Sequence, residues 1–340
     1  MLIQIKNHDV IEDSELEIKP LTIFLGENGT YKSYIAQLIY AAVNLETVLA
    51  IKIIEHFQNK SVEFEEIVQF YASKFKEIIQ ENLAYKDAPE IFLKDSKSIW
   101  QYLTITTTKN NNNKINDEIF SHINVYKAVY VPYFRTFITY FYEIIKQDNE
   151  LINLINKNIL HDNFPYKKVI LDFLHILRNI QINNSDICNY ELSNKLEKLI
   201  REHNSESLIN NVMFIMMYLK KYPVKNKIFI IEEPEISLHP KTQIVFLDIL
   251  LDIVNMGGHV LLITHSDYIF ARINNLILNR KSVLSNSINI NPNEVSFYLF
   301  KKEKEQIKIK NLVDNNGYIS DENFSEVLDK MIEEASGNLL

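Results

Sequence analysis

Two runs near the start of the chain, "LIQIKNHDVI" and "SELEIKPLTIFLG", alternate apolar and polar residues and predict strands. The second ends in a short continuous apolar run, Leu21 to Leu25. From Lys32 a stripe at Ile35, Leu38, Ile39 and Ala42 changes to helical spacing. Residues from about 45 to 200 are mostly helical in pattern, broken by the Asn-rich "TTTKNNNNKIND", a surface loop or hairpin tip, and by one strand, "YKAVYVP". Two more buried-strand runs follow, "IFII" (Ile228 to Ile231) and "VLLIT" (Val260 to Thr264), joined by a helix from about Lys241 to Val254 and the turn "NMGG". The tail predicts a β-pair, "EVSFYLFKK" with "EQIKIKNLV", and a closing helix near "ENFSEVLDKMIEEA". Strands alternating with helices predict an α/β fold on a mixed, mostly parallel sheet. Its N-terminal part would be residues 1–44, a large helical insertion 45–200, and its C-terminal part 201–340.

Composition narrows the function. The chain has 340 residues, 46% apolar and 24% charged, an ordinary globular balance. No apolar run spans a membrane and the N-terminus lacks a secretory layout, so a soluble, cytoplasmic protein is expected. The single cysteine, Cys188, allows neither an internal disulfide nor a cysteine-built zinc site. A formal charge of −8 argues against nucleic-acid binding over the whole surface. The local basic runs "KKYPVKNK" and "LFKKEKEQIKIK" are candidate local patches for such contacts, against the reading as solvated loop and strand-edge lysines. Glycine is scarce: six, where average usage would give about 24. Four of the six stand in two places, Gly26 with Gly29 and Gly257 with Gly258. A sequence that avoids glycine keeps it where the backbone needs it.

"FLGENGTYKS" (Phe24 to Ser33) is close to a phosphate-cradling loop: glycine, four residues, glycine, lysine, serine. Gly26, Lys32 and Ser33 fit; Tyr31 stands where the second glycine is usual. A strand before and a helix after are the context such a loop requires. The other two buried runs end in Glu232–Glu233 and in Thr264–His265. Ligands bind at the carboxyl ends of parallel strands, so the three ends are expected to converge on one crevice. Phosphoryl hydrolysis would use them all. Lys32 would meet the outer phosphates, Ser33 and Glu232 the metal shell, Glu233 the attacking water, and His265 the terminal phosphate. Glu27, Asn28, Gly29, Thr30 and Tyr34 complete the candidate cradle, with the Tyr31 ring directed out of it toward the helical insertion or a partner subunit.

"GENGTYKS", "IFIIEEPEISLHP" and "LLITHSDYIF" resemble the Walker A, Walker B with D-loop, and switch-histidine segments of ABC-type ATPase heads. More narrowly they resemble the RecF, SMC and OLD-like branch. "VYVPYFR" and "NFSEVLDKMIEE" are similar to segments of the small AAA-type ATPases of bacterial defence loci, the PARIS-type and abortive-infection systems. The resemblance covers both ends of the chain, about half its length. It implies an ABC-type P-loop head binding ATP and Mg²⁺ and dimerising around them. It further implies a sensor or scaffold role for a separately encoded effector, a Toprim-type nuclease or a toxin, with nucleic acid reached through that partner.

In such heads a signature segment from one subunit completes the ATP site of another. "NSESLINN" is the candidate, with Ser205, Glu206 and Ser207 opening a helix; an ordinary N-cap is the alternative. Three positions depart from the family pattern: Tyr31 in the loop, Ser207 where a signature glycine is usual, and Glu232 where the metal-shell residue is usually Asp. Arg135 matches an arginine after "P-x-x" in the resembling proteins, against the alternative of an exposed arginine at a helix start. Two rival functions remain open: a DNA repair or recombination ATPase that clamps DNA, and a binding module switched by nucleotide occupancy without hydrolysis.

Overall fold

The computed structural model describes residues 1–6, 8–41, 43–44, 73, 90–93, 127–133, 135, 189–203, 206–278, 290–313 and 319. Its centre is a six-stranded sheet in the order β5-β6-β7-β3-β8-β9. These strands are β3 (Leu21–Gly26), β5 (Lys127–Val131), β6 (Lys227–Glu232), β7 (His259–Ile263), β8 (Val295–Glu303) and β9 (Gln306–Asn311). The first five run parallel and β9 returns antiparallel to β8, giving the expected mixed, mostly parallel α/β sheet.

Continuous apolar runs explain why these strands lie inside. All six residues of β3 are buried, as are five of six in β6, because helices cover both faces. Among the described residues those helices are α1 (residues 32–41), α2 (Tyr190–His203), α3 (Glu206–Lys221), α4 (Pro240–Asn255) and α5 (Asp267–Ile277). One apolar core joins sheet and helices, from Leu21 and Ile23 through Phe214, Phe229 and Phe246 to Phe297. Local signals set the helix starts. His239 caps α4 ahead of Pro240, and the Ser266 hydroxyl accepts the Ile269 N–H at the start of α5.

Two differences from the sequence reading follow from local chemistry. The run "SELEIKPLTIFLG" is two strands, not one. β2 (Ser14–Glu17) joins an antiparallel sheet β2-β1-β4 with β1 (Leu2–Lys6) and β4 (Glu90–Leu93), and β3 enters the main sheet. Pro20, without an N–H to give a ladder, separates them. β4 is also a second strand within the segment expected to be helical. The closing helix, most of the insertion and Cys188 lie outside the described residues.

Candidate functional site

Sheet order brings the three strand ends together. β7 lies between β3 and β6, and the ladder continues past them: the Thr264 N–H donates to Phe24 O at 3.1 Å and the Glu233 N–H to Ile263 O at 2.7 Å. Above them opens a cavity of about 560 Å³, lined by residues 28–34 of the loop, by Glu233 and His265, and by His8, Asp9, Val10 and Ile263. That size is ordinary for a small-ligand site.

The loop owes its shape to two glycines and one strained tyrosine. Gly26 has φ 138, and a Cβ there would come within 2.2 Å of Phe300 O in β8, so this glycine is required by the neighbouring strand. Gly29 (φ 77) needs the left-handed region, as does Tyr31 at φ 65. The missing glycine is therefore one the backbone conformation favours, and the tyrosine occupies it at a cost. Its ring is 38% exposed and makes edge contacts with His8 (centroids 5.9 Å) and Tyr34 (5.8 Å). It is thus set against the turn after β1 as well as against its own helix. His8 is fixed in turn, since its Nδ1 accepts the N–H groups of Val10 and Ile11.

Lys32 is buried and faces its own loop. Its Nζ donates to Gly26 O (2.8 Å), Glu27 O (2.6 Å) and the Thr30 hydroxyl (3.2 Å), while Thr30 donates to Glu27 O. All three ammonium protons are engaged. Burial pulls its pKa down to about 8, opposed by the negative charges of Glu233 and Glu27. Gly26 and Glu27 thus serve the site through carbonyls held by Lys32, while Asn28 to Tyr34 face the cavity.

The two glutamates of β6 are placed differently. Glu233 lines the cavity, with φ 44 at the turn beyond the strand. Glu232 is 1% exposed and is not among the lining residues; its carboxylate accepts the Tyr130 hydroxyl at 2.8 Å and the Tyr133 N–H at 3.1 Å. A magnesium ion commonly takes one or two carboxylates besides phosphate oxygens and waters. Ser33 lines the cavity and its hydroxyl fits that donor set; Glu232, the carboxylate expected beside it, accepts from Tyr130 and Tyr133 and stands behind the cavity wall.

His265 faces the cavity, and its backbone N–H donates to Glu235 Oε1 at 2.7 Å. Burial and the nearby Lys32 charge lower the imidazole pKa, opposed by Glu233, which keeps it a neutral donor–acceptor at physiological pH. Burial raises the Glu235 pKa. Ser205 lies outside the described residues; Glu206 and Ser207 form the first turn of α3. That helix starts at the cavity end of the sheet, since the Asn211 amide donates to Ile236 O in the turn beyond β6.

Sequence reasoning missed several participants. His8, Asp9 and Val10 follow a strand with no recognisable signal. Glu235 was in plain view in "EEPE". Arg135 is no exposed helix-start arginine: none of it reaches solvent.

An AAA ATPase domain family matches residues 141–270 of the chain. Among curated proteins none matches it. The chain resembles a number of solved structures. The SMC head domain from Thermotoga maritima is 10% identical, with 91% of this chain and 97% of that one covered, at a TM-score of 0.40. An SMC head bound to the C-winged helix domain of ScpA is 10% identical, with 92% and 96% covered, at 0.39. The ATP-binding cassette of an ABC transporter in its ADP conformation is 13% identical, with 99% and 98% covered, at 0.36. Among the described residues no helix is long and apolar enough to cross a membrane. The loop lysine, the carboxylate at the end of the strand two places away in the same sheet and the match to the AAA ATPase domain family together support a P-loop ATPase.

Proposed function

We propose that the chain binds Mg-ATP in this cavity and hydrolyses it slowly, as a dimerising ABC-type head that serves a partner effector. One observation carries the reading: three parallel strand ends bring Lys32, Ser33, Glu233 and His265 to a single cavity of about 560 Å³. Lys32 leaves its loop carbonyls for the β- and γ-phosphates, and the N–H groups opening α1 face the same anion. Ser33 holds the cation, which polarises the transferred phosphoryl group when bound. Glu233 orients the attacking water and accepts its proton, while His265 donates toward the terminal phosphate. The segment Ser205, Glu206 and Ser207 completes the site of a second subunit; the start of α3 at the cavity end of the sheet supports that arrangement. The effector, whether nuclease or toxin, and a place in anti-phage defence rest on the sequence resemblance alone.

Two features favour the reading of a nucleotide switch without hydrolysis: Lys32 is fully engaged inside its loop, and Tyr31 sits strained beside it. Calorimetry with Mg-ATP and a phosphate-release assay separate the readings. Wild type should bind and turn over, and Lys32→Ala should lose binding. Unchanged affinity in Lys32→Ala would remove the loop from the site, and binding without phosphate release would establish the switch.

A further inference from the structure

The chain leaving β5 encloses the glutamate pair of β6 from the side away from β7. Tyr130 and Tyr133 take the Glu232 carboxylate, and Arg135 takes the backbone behind it. Its Nη1 donates to Glu232 O at 2.7 Å and Pro132 O at 3.2 Å, and its Nη2 to Glu233 O at 2.9 Å. Burying a guanidinium is costly unless its donors are met and its charge is balanced. Here burial brings the guanidinium pKa down to about 10, opposed by the carboxylates of Glu235, Glu232 and Glu233, and backbone carbonyls accept from both Nη atoms. It stays charged at neutral pH.

What the planar fork grips explains its presence. Glu233 adopts φ 44, a conformation that is costly for a non-glycine residue and persists only where the surroundings enforce it. Its N–H is held by Ile263 O and its carbonyl by the Ile236 N–H at 3.1 Å. Arg135 adds a bond to that same carbonyl and another to the carbonyl one residue earlier. Two adjacent carbonyls held by one rigid group fix the two peptide planes that flank the Glu233 Cα. A lysine, with its donors on a single nitrogen, cannot reproduce that grip.

We propose that Arg135 is a positioning residue for hydrolysis: by gripping the carbonyls of Glu232 and Glu233 it keeps Glu233 in its left-handed conformation with the carboxylate facing the cavity. The role rests on the ATPase reading above and acts through Glu233, without contact to nucleotide. Losing it leaves the phosphate loop on β3 untouched, so turnover suffers and binding does not.

The test compares wild type, Arg135→Lys, Arg135→Ala, Glu233→Gln and the double variant Arg135→Lys/Glu233→Gln. Readouts are kcat and KM for ATP, calorimetric ATP affinity, and melting temperature. Arg135→Lys should lower kcat by ~10- to 100-fold, the usual cost of a small misplacement of a catalytic group, with ATP affinity unchanged. Added to Glu233→Gln it should cost nothing further, because the group it positions is already disabled. A normal kcat in Arg135→Lys, a parallel loss of affinity, or losses that multiply in the double variant would overturn the positioning role. If Arg135→Ala fails to fold, the folded Arg135→Lys variant decides. A wild type that binds no ATP, or never hydrolyses it, would overturn the ATPase reading and the positioning role with it. A wild type that turns over beside an unaffected Arg135→Lys would overturn the positioning role alone.

Discussion

Tyr31 can be tested by a pair of substitutions that separate its backbone from its ring. At φ 65 any residue with a Cβ carries a left-handed penalty of about 1–2 kcal/mol, which glycine escapes. Tyr31→Ala and Tyr31→Gly both delete the ring and its edge contacts with His8 and Tyr34. Such contacts are worth about 0.5–1.5 kcal/mol each, at the lower end here because the ring is 38% exposed. That loss is common to both variants and cancels between them. Alanine keeps the strain; glycine sheds it and gives back part of the gain, about 0.5–1 kcal/mol, through its freer unfolded chain. Tyr31→Gly should therefore be more stable than Tyr31→Ala by about 1 kcal/mol, with Tyr31→Ala below wild type. Urea denaturation at unchanged m-value measures it. An alanine variant as stable as the glycine variant would refute the left-handed loop. The same Tyr31→Gly protein should bind ATP and hydrolyse it at least as fast as wild type. If wild type ignores ATP and Tyr31→Gly gains binding, the tyrosine closes the loop to nucleotide.

Glu233→Gln should keep ATP binding, lower turnover by ~100-fold and accumulate an ATP-held dimer visible by light scattering; normal hydrolysis would move the catalytic role elsewhere. ATP affinity should fall by ~10-fold per pH unit above about 8, because the free protein's Lys32 loses its proton there while bound phosphates require it charged. The unliganded fold changes in the opposite sense. An unfolded lysine titrates near 10.5, so between about 8 and 10.5 the unfolded chain binds more protons, and this group adds stability as pH rises. Calorimetry and denaturation from pH 7 to 10 check both signs, and a flat affinity would refute the charged-lysine contact. Tyr130→Phe removes one donor to the buried Glu232 carboxylate and should cost about 1.5–3 kcal/mol of stability, read by denaturation; an unchanged stability would show that this bond contributes nothing net.

The sheet was legible because burial on both faces writes itself as continuous apolar runs, as in Ile228 to Ile231 and Val260 to Ile263. Their convergence was legible because parallel strands gather their carboxyl ends. The break at Pro20 was visible, but not the consequence that its two halves join different sheets, since pairing partners such as Glu90–Leu93 lie far away in sequence. The placement of the glutamates was also hidden. Neighbouring residues of a strand end look equivalent in sequence, and only the chain leaving β5 makes Glu232 the enclosed residue and Glu233 the open one. Likewise the sequence shows that a glycine is missing at Tyr31, but φ shows that the backbone conformation still favours one.

The same β5 segment joins the two halves of the candidate site. α1 begins at the loop lysine, and in the described residues just beyond it Asn44 bonds both backbone groups of Ala128 in β5, accepting the N–H at 3.0 Å and donating to the carbonyl at 3.1 Å. One turn earlier Tyr40 meets the ring of Tyr130 edge-on at 5.7 Å, and Tyr130 carries the hydroxyl that binds Glu232. Loop helix, β5 and carboxylate strand are therefore tied through side chains as well as through the sheet. β3 and β6 stand two strands apart, about 9–10 Å at the usual inter-strand spacing, with β7 and His265 between them. That separation leaves room for a phosphate group and a water between the Lys32 loop and Glu233. A frame that fixes it from two directions limits what either half can do alone: a shift of α1 on nucleotide binding must either carry β5 and the glutamates with it or break the bonds of Asn44.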